Sequence, residues 1–170
     1  FAGDGAVERF LEAFDLASLP HGTSLARARP SGPCHGYPNH DVWIDHPVAP
    51  GIVLIGDAAG HNDPSGGQGI SIALKDARLV SEALNASKNW SPAAFADFAA
   101  TRREQMNRLR FSVRLLAIYR MEFTATGRER RRRGRERMAA DPGLALPFVA
   151  MQKGPFAVPR EAFSQDVWDR

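Results

Sequence analysis

The chain has 170 residues, 44% of them hydrophobic and 24% charged, a balance that excludes an intrinsically disordered polypeptide and suits one domain or a large piece of one. No apolar run spans a bilayer, because Arg, Asp or Pro breaks each within about ten residues, and the single cysteine, Cys34, excludes an internal disulfide and points to a reducing cytoplasm. The net charge of +3 has a local source: residues 128–137 hold seven Arg against two Glu, a sum of +5, so the remainder carries about −2.

Residues 6–14 place Val7, Phe10, Leu11 and Phe14 at helical spacing, with Asp4 as the expected N-cap and Pro20 beyond the far end. Residues 25–40 are turn-rich (Pro30, Gly32, Pro33, Gly36, Pro38), and short strands are expected on either side, near 24–28 and 42–45. After a turn at 48–51, the run Gly51-Ile-Val-Leu-Ile55 is continuous, apolar and β-branched, which predicts a strand buried on both faces. A glycine-rich loop fills 60–69. Residues 70–84 then set Ile70, Ala73, Leu74, Ala77, Val80, Ser81 and Leu84 at helical spacing.

Ser91 and Pro92 supply an N-cap and a first-turn proline for a long helix reaching Tyr119 or Thr126, with Phe95, Phe98, Met106, Leu109, Val113 and Leu116 as its apolar positions. Gly127 and Gly134 are expected to bracket the Arg run. Beyond Asp141 the chain is punctuated by Pro and Gly, with short helices expected around 144–151 and 160–168.

The stretch that carries chemistry is strand, Gly56-Asp57, glycine loop, helix. A strand ending in Gly-Asp puts one carboxylate at the carboxyl edge of a sheet, where α/β folds bind ligands, and a carboxylate there accepts hydrogen bonds from sugar-like hydroxyls. Gly66, Gly67 and Gly69 remove side chains beside the next helix start, so a ligand can approach the backbone closely. The first amides of that helix lack intrahelical partners and lie at its positive end, which favours an anion or an electron-rich carbonyl. Together these features suit a ribityl-flavin better than a bare phosphate. Other glycine motifs fail: Gly69-Ile70-Ser71 has no Walker lysine, Ile72 stands at the third glycine of the dinucleotide pattern, and no nucleophile elbow surrounds Ser65.

The stretch Gly56-Asp-Ala-Ala-Gly-His-Asn-Asp-Pro-Ser-Gly-Gly-Gln-Gly-Ile-Ser-Ile-Ala-Leu-Lys-Asp76-Ala77 resembles the second FAD-binding motif of the flavoprotein monooxygenases of the para-hydroxybenzoate hydroxylase type. It matches at Gly56, Asp57, Ala58, Ala59, Pro64, Gly66, Gln68, Gly69, Asp76 and Ala77. Gly60 stands where that family usually has His, and Ser71 where it usually has Asn.

The resemblance implies an α/β fold, the C-terminal portion of a Rossmann-like FAD-binding domain in which strand, loop and helix are followed by long helices. It implies FAD as cofactor and NAD(P)H as co-substrate. Asp57 would accept from the ribityl chain, Pro64 would lie near the flavin ring edge, and the amides of Gly69, Ile70 and Ser71 would face the N1–C2=O side, where the positive helix end stabilises reduced, anionic flavin. Gly56, Ala58, Gly66, Gly67 and Gln68 complete the cofactor-binding set. The implied activity is insertion of one oxygen atom from O2 into a small organic substrate, aromatic or polyketide-like. Flavin-dependent halogenases and reductases share the fold, and a non-catalytic flavin-binding remnant is a separate class. No catalytic acid, base or nucleophile is assigned.

The family's Gly-x-Gly-x-x-Gly unit for the ADP half of FAD, and most of its substrate sheet, are not found in these residues, so 1–170 read as the C-terminal part of the domain and are expected to bind FAD weakly or not at all on their own. The apolar positions from Phe95 to Leu116 would then pack onto the flavin domain, partly exposed and prone to aggregate. Asp76 reads either as a helix-surface carboxylate or as the family's recurring position. Lys75 and Arg78 read as solvated helix charges.

Cys34, His35, His40 and His46 have no standard zinc spacing, and no metal is assigned. Trp43 packs in the core or approaches the substrate cavity. The Arg run, lacking interleaved aromatics, reads as a solvated helix end or turn, so neither nucleic acid nor membrane is assigned as a partner.

Overall fold

The computed structural model describes residues 3–33, 35–36 and 40–169. They are mostly helical, with a few short strands. The chain divides into two compact units, Phe1–Pro38 and Asn39–Arg170. Cys34 and Pro38, named above, lie outside the described residues.

The first unit holds α1 (Ala6–Glu12) and α2 (Gly22–Ala26). The spacing of Val7, Phe10 and Leu11 predicts α1, but its cap is Gly5 in the left-handed conformation and not Asp4, whose main-chain carbonyl accepts from Arg9. No residue of α1 is buried, and Phe10 and Phe14 meet edge to face at 5.3 Å. The strand expected near 24–28 is α2 instead. His21, at φ 62°, turns the chain there, and Gly22 lies against the backbone of Phe14 and Leu16 where no side chain fits.

In the second unit β1 (Val42–Trp43) pairs antiparallel with β4 (Gly60–His61), and β2 (Val48–Ala49) forms a hairpin with β3 (Ile52–Val53), Val48 opposite Val53. The run from Gly51 to Ile55 is therefore not a strand buried on both faces. Only Ile52 and Val53 are extended in a ladder, and Ile52 is 58% exposed. Burial on both faces needs neighbouring strands with cover above and below, and β2 is the one strand paired with this run among the described residues.

Next come α3 (Gly69–Ala86), a 3-10 turn at Pro92–Phe95, and α4 (Ala96–Met121). The stripe expected to be partly exposed is covered: Phe95, Phe98, Met106, Leu109, Val113 and Leu116 are all buried. Ile72 of α3 packs with Met106 and Leu109, and the partly buried Trp43 packs against that cluster.

Gly127 and Gly134 fall inside α5 (Ala125–Ala140) and do not bracket the Arg run. Thr124 caps this helix by accepting the Gly127 N–H at 3.0 Å. Both glycines are packing positions: Gly127 lies against Glu122, and Gly134 lies beneath the Tyr119 hydroxyl. The C-terminal elements are α6 (Leu146–Lys153), 3-10 turns at Pro155–Ala157 and Arg160–Phe163, and α7 (Gln165–Asp169); Ala150, Val158 and Ala162 form their core. No helix among the described residues is long and apolar enough to cross a membrane.

Candidate functional site

The Gly-Asp turn is fixed by one buried ion pair. Gly56–Ala59 forms a 3-10 turn that begins with Gly56 at φ 54°, seated on α3 so closely that an added Cβ would lie 3.2 Å from the Ala73 Cβ. Asp76 of α3 is 1% exposed; its carboxylate accepts the Gly56 N–H at 2.9 Å and pairs with the Arg102 guanidinium of α4. Arg102, 2% exposed, also donates to the carbonyls of Gly56 at 2.9 Å and Gly60 at 3.2 Å. One carboxylate and one guanidinium thus tie both ends of the turn to two helices. The surface reading of Asp76 is excluded.

Burial pushes the Asp76 carboxyl up from its ordinary range, against the opposing pull of the Gly56 amide and the Arg102 and Lys75 charges. Burial lowers Arg102, opposed by Asp76 and by Asp57. Arg102 Nε is buried and has no hydrogen-bond partner among the described residues, a cost of about 1–3 kcal/mol.

Sequence reasoning missed Arg102, although a signal was present. It lies four residues after Phe98 and four before Met106, a charge in the middle of an apolar helical stripe. Such a charge needs a buried partner.

The outer side of the turn faces solvent: Asp57 and Ala58 are exposed. In the loop beyond, Asp63 accepts the Ser65 N–H at 2.8 Å and Pro64 opens a 3-10 turn, leaving Pro64 exposed. Gly67 is left-handed at φ 66°. Gly66 lies against Val113 and Met151, and the Gln68 side chain donates to the Met151 carbonyl, so the loop is clasped to α4 and α6. The Gln68 amide is thereby committed within the chain.

No side chain caps α3, and the Ile72 N–H donates to the Gln68 carbonyl at 3.0 Å. The amides of Gly69, Ile70 and Ser71 precede that bond, on exposed residues. Added Cβ atoms at Gly67 and Gly69 would meet nothing within 4 Å. This side of the loop is open, with Asp57 on a turn that packs against the same helix.

Gly60 is the departure with a visible cause. At φ 116° its Cβ would lie 2.6 Å from the Val42 carbonyl and 3.0 Å from the Trp43 Cα, so the β1–β4 pairing demands glycine where the resembling motif has His. Ser71, the other departure, is exposed. Arg78 pairs with Glu82 on the surface, whereas Lys75, read as solvated, is half-buried, 4.0 Å from the Phe156 ring centroid.

Two further features frame the site. A cavity of about 970 Å³ is lined from α4, α5, α6 and α7, and none of residues 56–71 lines it. The outer face of α3 is apolar and uncovered, with Ile70 79% and Leu74 67% exposed and Leu84 further along it. The chain matches no protein-family model, no curated protein and no solved structure.

Proposed function

We propose that residues 56–71 hold the ribityl and isoalloxazine end of FAD in a flavin-dependent monooxygenase that uses NAD(P)H and O2 in the cytoplasm. The observation that carries this reading is the Asp76–Arg102 clamp. It binds the Gly-Asp turn to the helix whose start is bare of side chains, leaving Asp57 and the Gly69–Ser71 amides accessible on the two elements it joins.

The donor and acceptor set fits the cofactor. Asp57 is an acceptor for ribityl hydroxyls. The uncapped α3 amides are donors for an electron-rich ring carbonyl, and the open space over Gly67 and Gly69 admits a planar group against the backbone. When bound, flavin supplies hydride acceptance and oxygen activation. The chain's own part is positional and electrostatic. Asp57 orients the sugar chain, the α3 dipole favours negative charge beside its first turn, and the Gln68–Met151 clasp keeps the loop from moving away.

The uncovered α3 face and Ile52 fit a domain in which further sheet, carrying the ADP half of the cofactor site, packs against them. The substrate is a small organic molecule, aromatic among the candidates. The test is NAD(P)H oxidation and O2 uptake by the flavin-loaded protein, with and without phenolic substrates. Substrate-stimulated oxidation with oxygen incorporated into product is the expected result. Flavin-loaded protein that oxidises no NAD(P)H with any substrate contradicts a monooxygenase.

A further inference from the structure

The cavity between α4, α5 and α6 lies apart from the glycine loop and has a chemistry of its own. Leu115, Ile118 and Tyr119 of α4, Met138 of α5 and Phe148 of α6 give it apolar walls, with Tyr119 and Phe148 in edge contact at 5.3 Å. About 970 Å³ of space with mostly apolar walls is the form of a small-molecule site.

The charges along its rim are already paired. Arg130 lies 2.8 Å from Glu122, Arg132 lies 2.6 Å from both Glu129 and Glu136, and Arg133 lies 2.8 Å from Glu129. Three guanidinium groups thus meet three carboxylates. Arg137 is engaged as well, and Asp169 accepts from Gln165 at 2.8 Å. A charged head group would have to displace one of these partners to gain a contact, and a charge set against apolar walls costs free energy unless it is paired. An uncharged ligand displaces nothing.

The Tyr119 hydroxyl, by contrast, has no hydrogen-bond partner among the described residues. It is half-buried in the wall of the cavity. Burial pushes the phenol up from its ordinary value, against the pull of Arg135, so it keeps its proton at neutral pH and is a donor. Glycine is disfavoured inside a helix, yet Gly134 lies inside α5, where its missing side chain makes the room that this hydroxyl occupies.

We infer that this cavity binds an uncharged, largely apolar small molecule whose carbonyl oxygen accepts a hydrogen bond from the Tyr119 hydroxyl. The inference does not rest on the flavin reading.

The test titrates the natural protein that contains these residues with 2-decanone, decanoate and decyltrimethylammonium, three chains of similar length with uncharged, anionic and cationic heads, all below micelle formation. Binding is read by calorimetry and folding by far-UV circular dichroism. The ketone is expected to bind at least roughly tenfold more tightly than either ion. Tyr119→Phe, which removes the hydroxyl and keeps the ring, should weaken ketone binding about fivefold with the helical signal unchanged. Ala125→Trp, at an exposed lining position, should abolish it. No binding of the ketone, an ion that binds as tightly, or ketone binding unchanged in Tyr119→Phe or in Ala125→Trp overturns the assignment.

Discussion

Arg102→Met leaves the buried Asp76 carboxylate with the Gly56 amide as a donor and removes the guanidinium hydrogen bonds to the carbonyls of Gly56 and Gly60. Breaking a buried pair from one side costs about 3–5 kcal/mol. We expect Arg102→Met and Asp76→Asn each to lower unfolding free energy by about that amount in denaturant titrations, and a loss under about 1 kcal/mol for both would show that the clamp does not hold the turn. Gly60→His, which introduces the residue the resembling motif prefers, is expected to destabilise by about 2 kcal/mol or more, because φ 116° and the Val42 carbonyl leave no room for a Cβ. Thermal unfolding checks this, and a neutral His variant contradicts it. Asp57 was legible in the sequence because it ends an apolar run before glycines. The partner of Asp76 was hard to read, because Arg102 is distant in sequence and only an apolar stripe betrays it.

Among the elements, α5 is held at its surface by charge. Glu129 sits at about 2, below its ordinary 4.5, through hydrogen bonds from Arg132 and Arg133. A depressed carboxyl stabilises the folded state above its unfolded value, and that contribution is lost as pH falls through the folded one. The helical signal of α5 is therefore expected to decline as pH drops from 4.5 towards 2, and added salt to weaken the effect. Glu129→Gln should remove that pH dependence, measured by circular dichroism; an unchanged acid limb would contradict it.

Helices were more legible than strands, and for a physical reason. A helix closes its hydrogen bonds locally, so Ile70 to Leu84 and Phe95 to Leu116 announce themselves by spacing. A strand depends on partners elsewhere, so the apolar run at Gly51–Ile55 overstated its own burial, and residues 24–28 hid a helical turn set by His21 and Gly22. The Arg run, which has no interleaved aromatics, reads as a solvated helix end or turn bracketed by glycines, yet Gly127 and Gly134 lie inside α5. Tyr119 and Glu122, which occupy the space those glycines leave, lie on and just after α4.

For the whole molecule, the exposed apolar face of α3 sets an expectation. Leu74→Lys should change the unfolding free energy of residues 1–170 by less than about 0.5 kcal/mol, since it removes no buried contact, while reducing self-association in light scattering. A large loss of stability would show that Leu74 is covered. Residues 1–170 on their own are expected to bind FAD weakly, because the accessible groups around Asp57 and Gly69 can meet only one end of the cofactor. The central claim is that Asp57 and the start of α3 grip the flavin end of FAD. It is tested most directly by FAD titration of the natural protein that contains these residues and of its Asp57→Ala variant, followed by flavin fluorescence. Because Asp57 is exposed, the variant should keep its fold yet bind FAD at least roughly tenfold more weakly; a wild-type protein that takes up no FAD, or a variant that binds it equally well, contradicts the account.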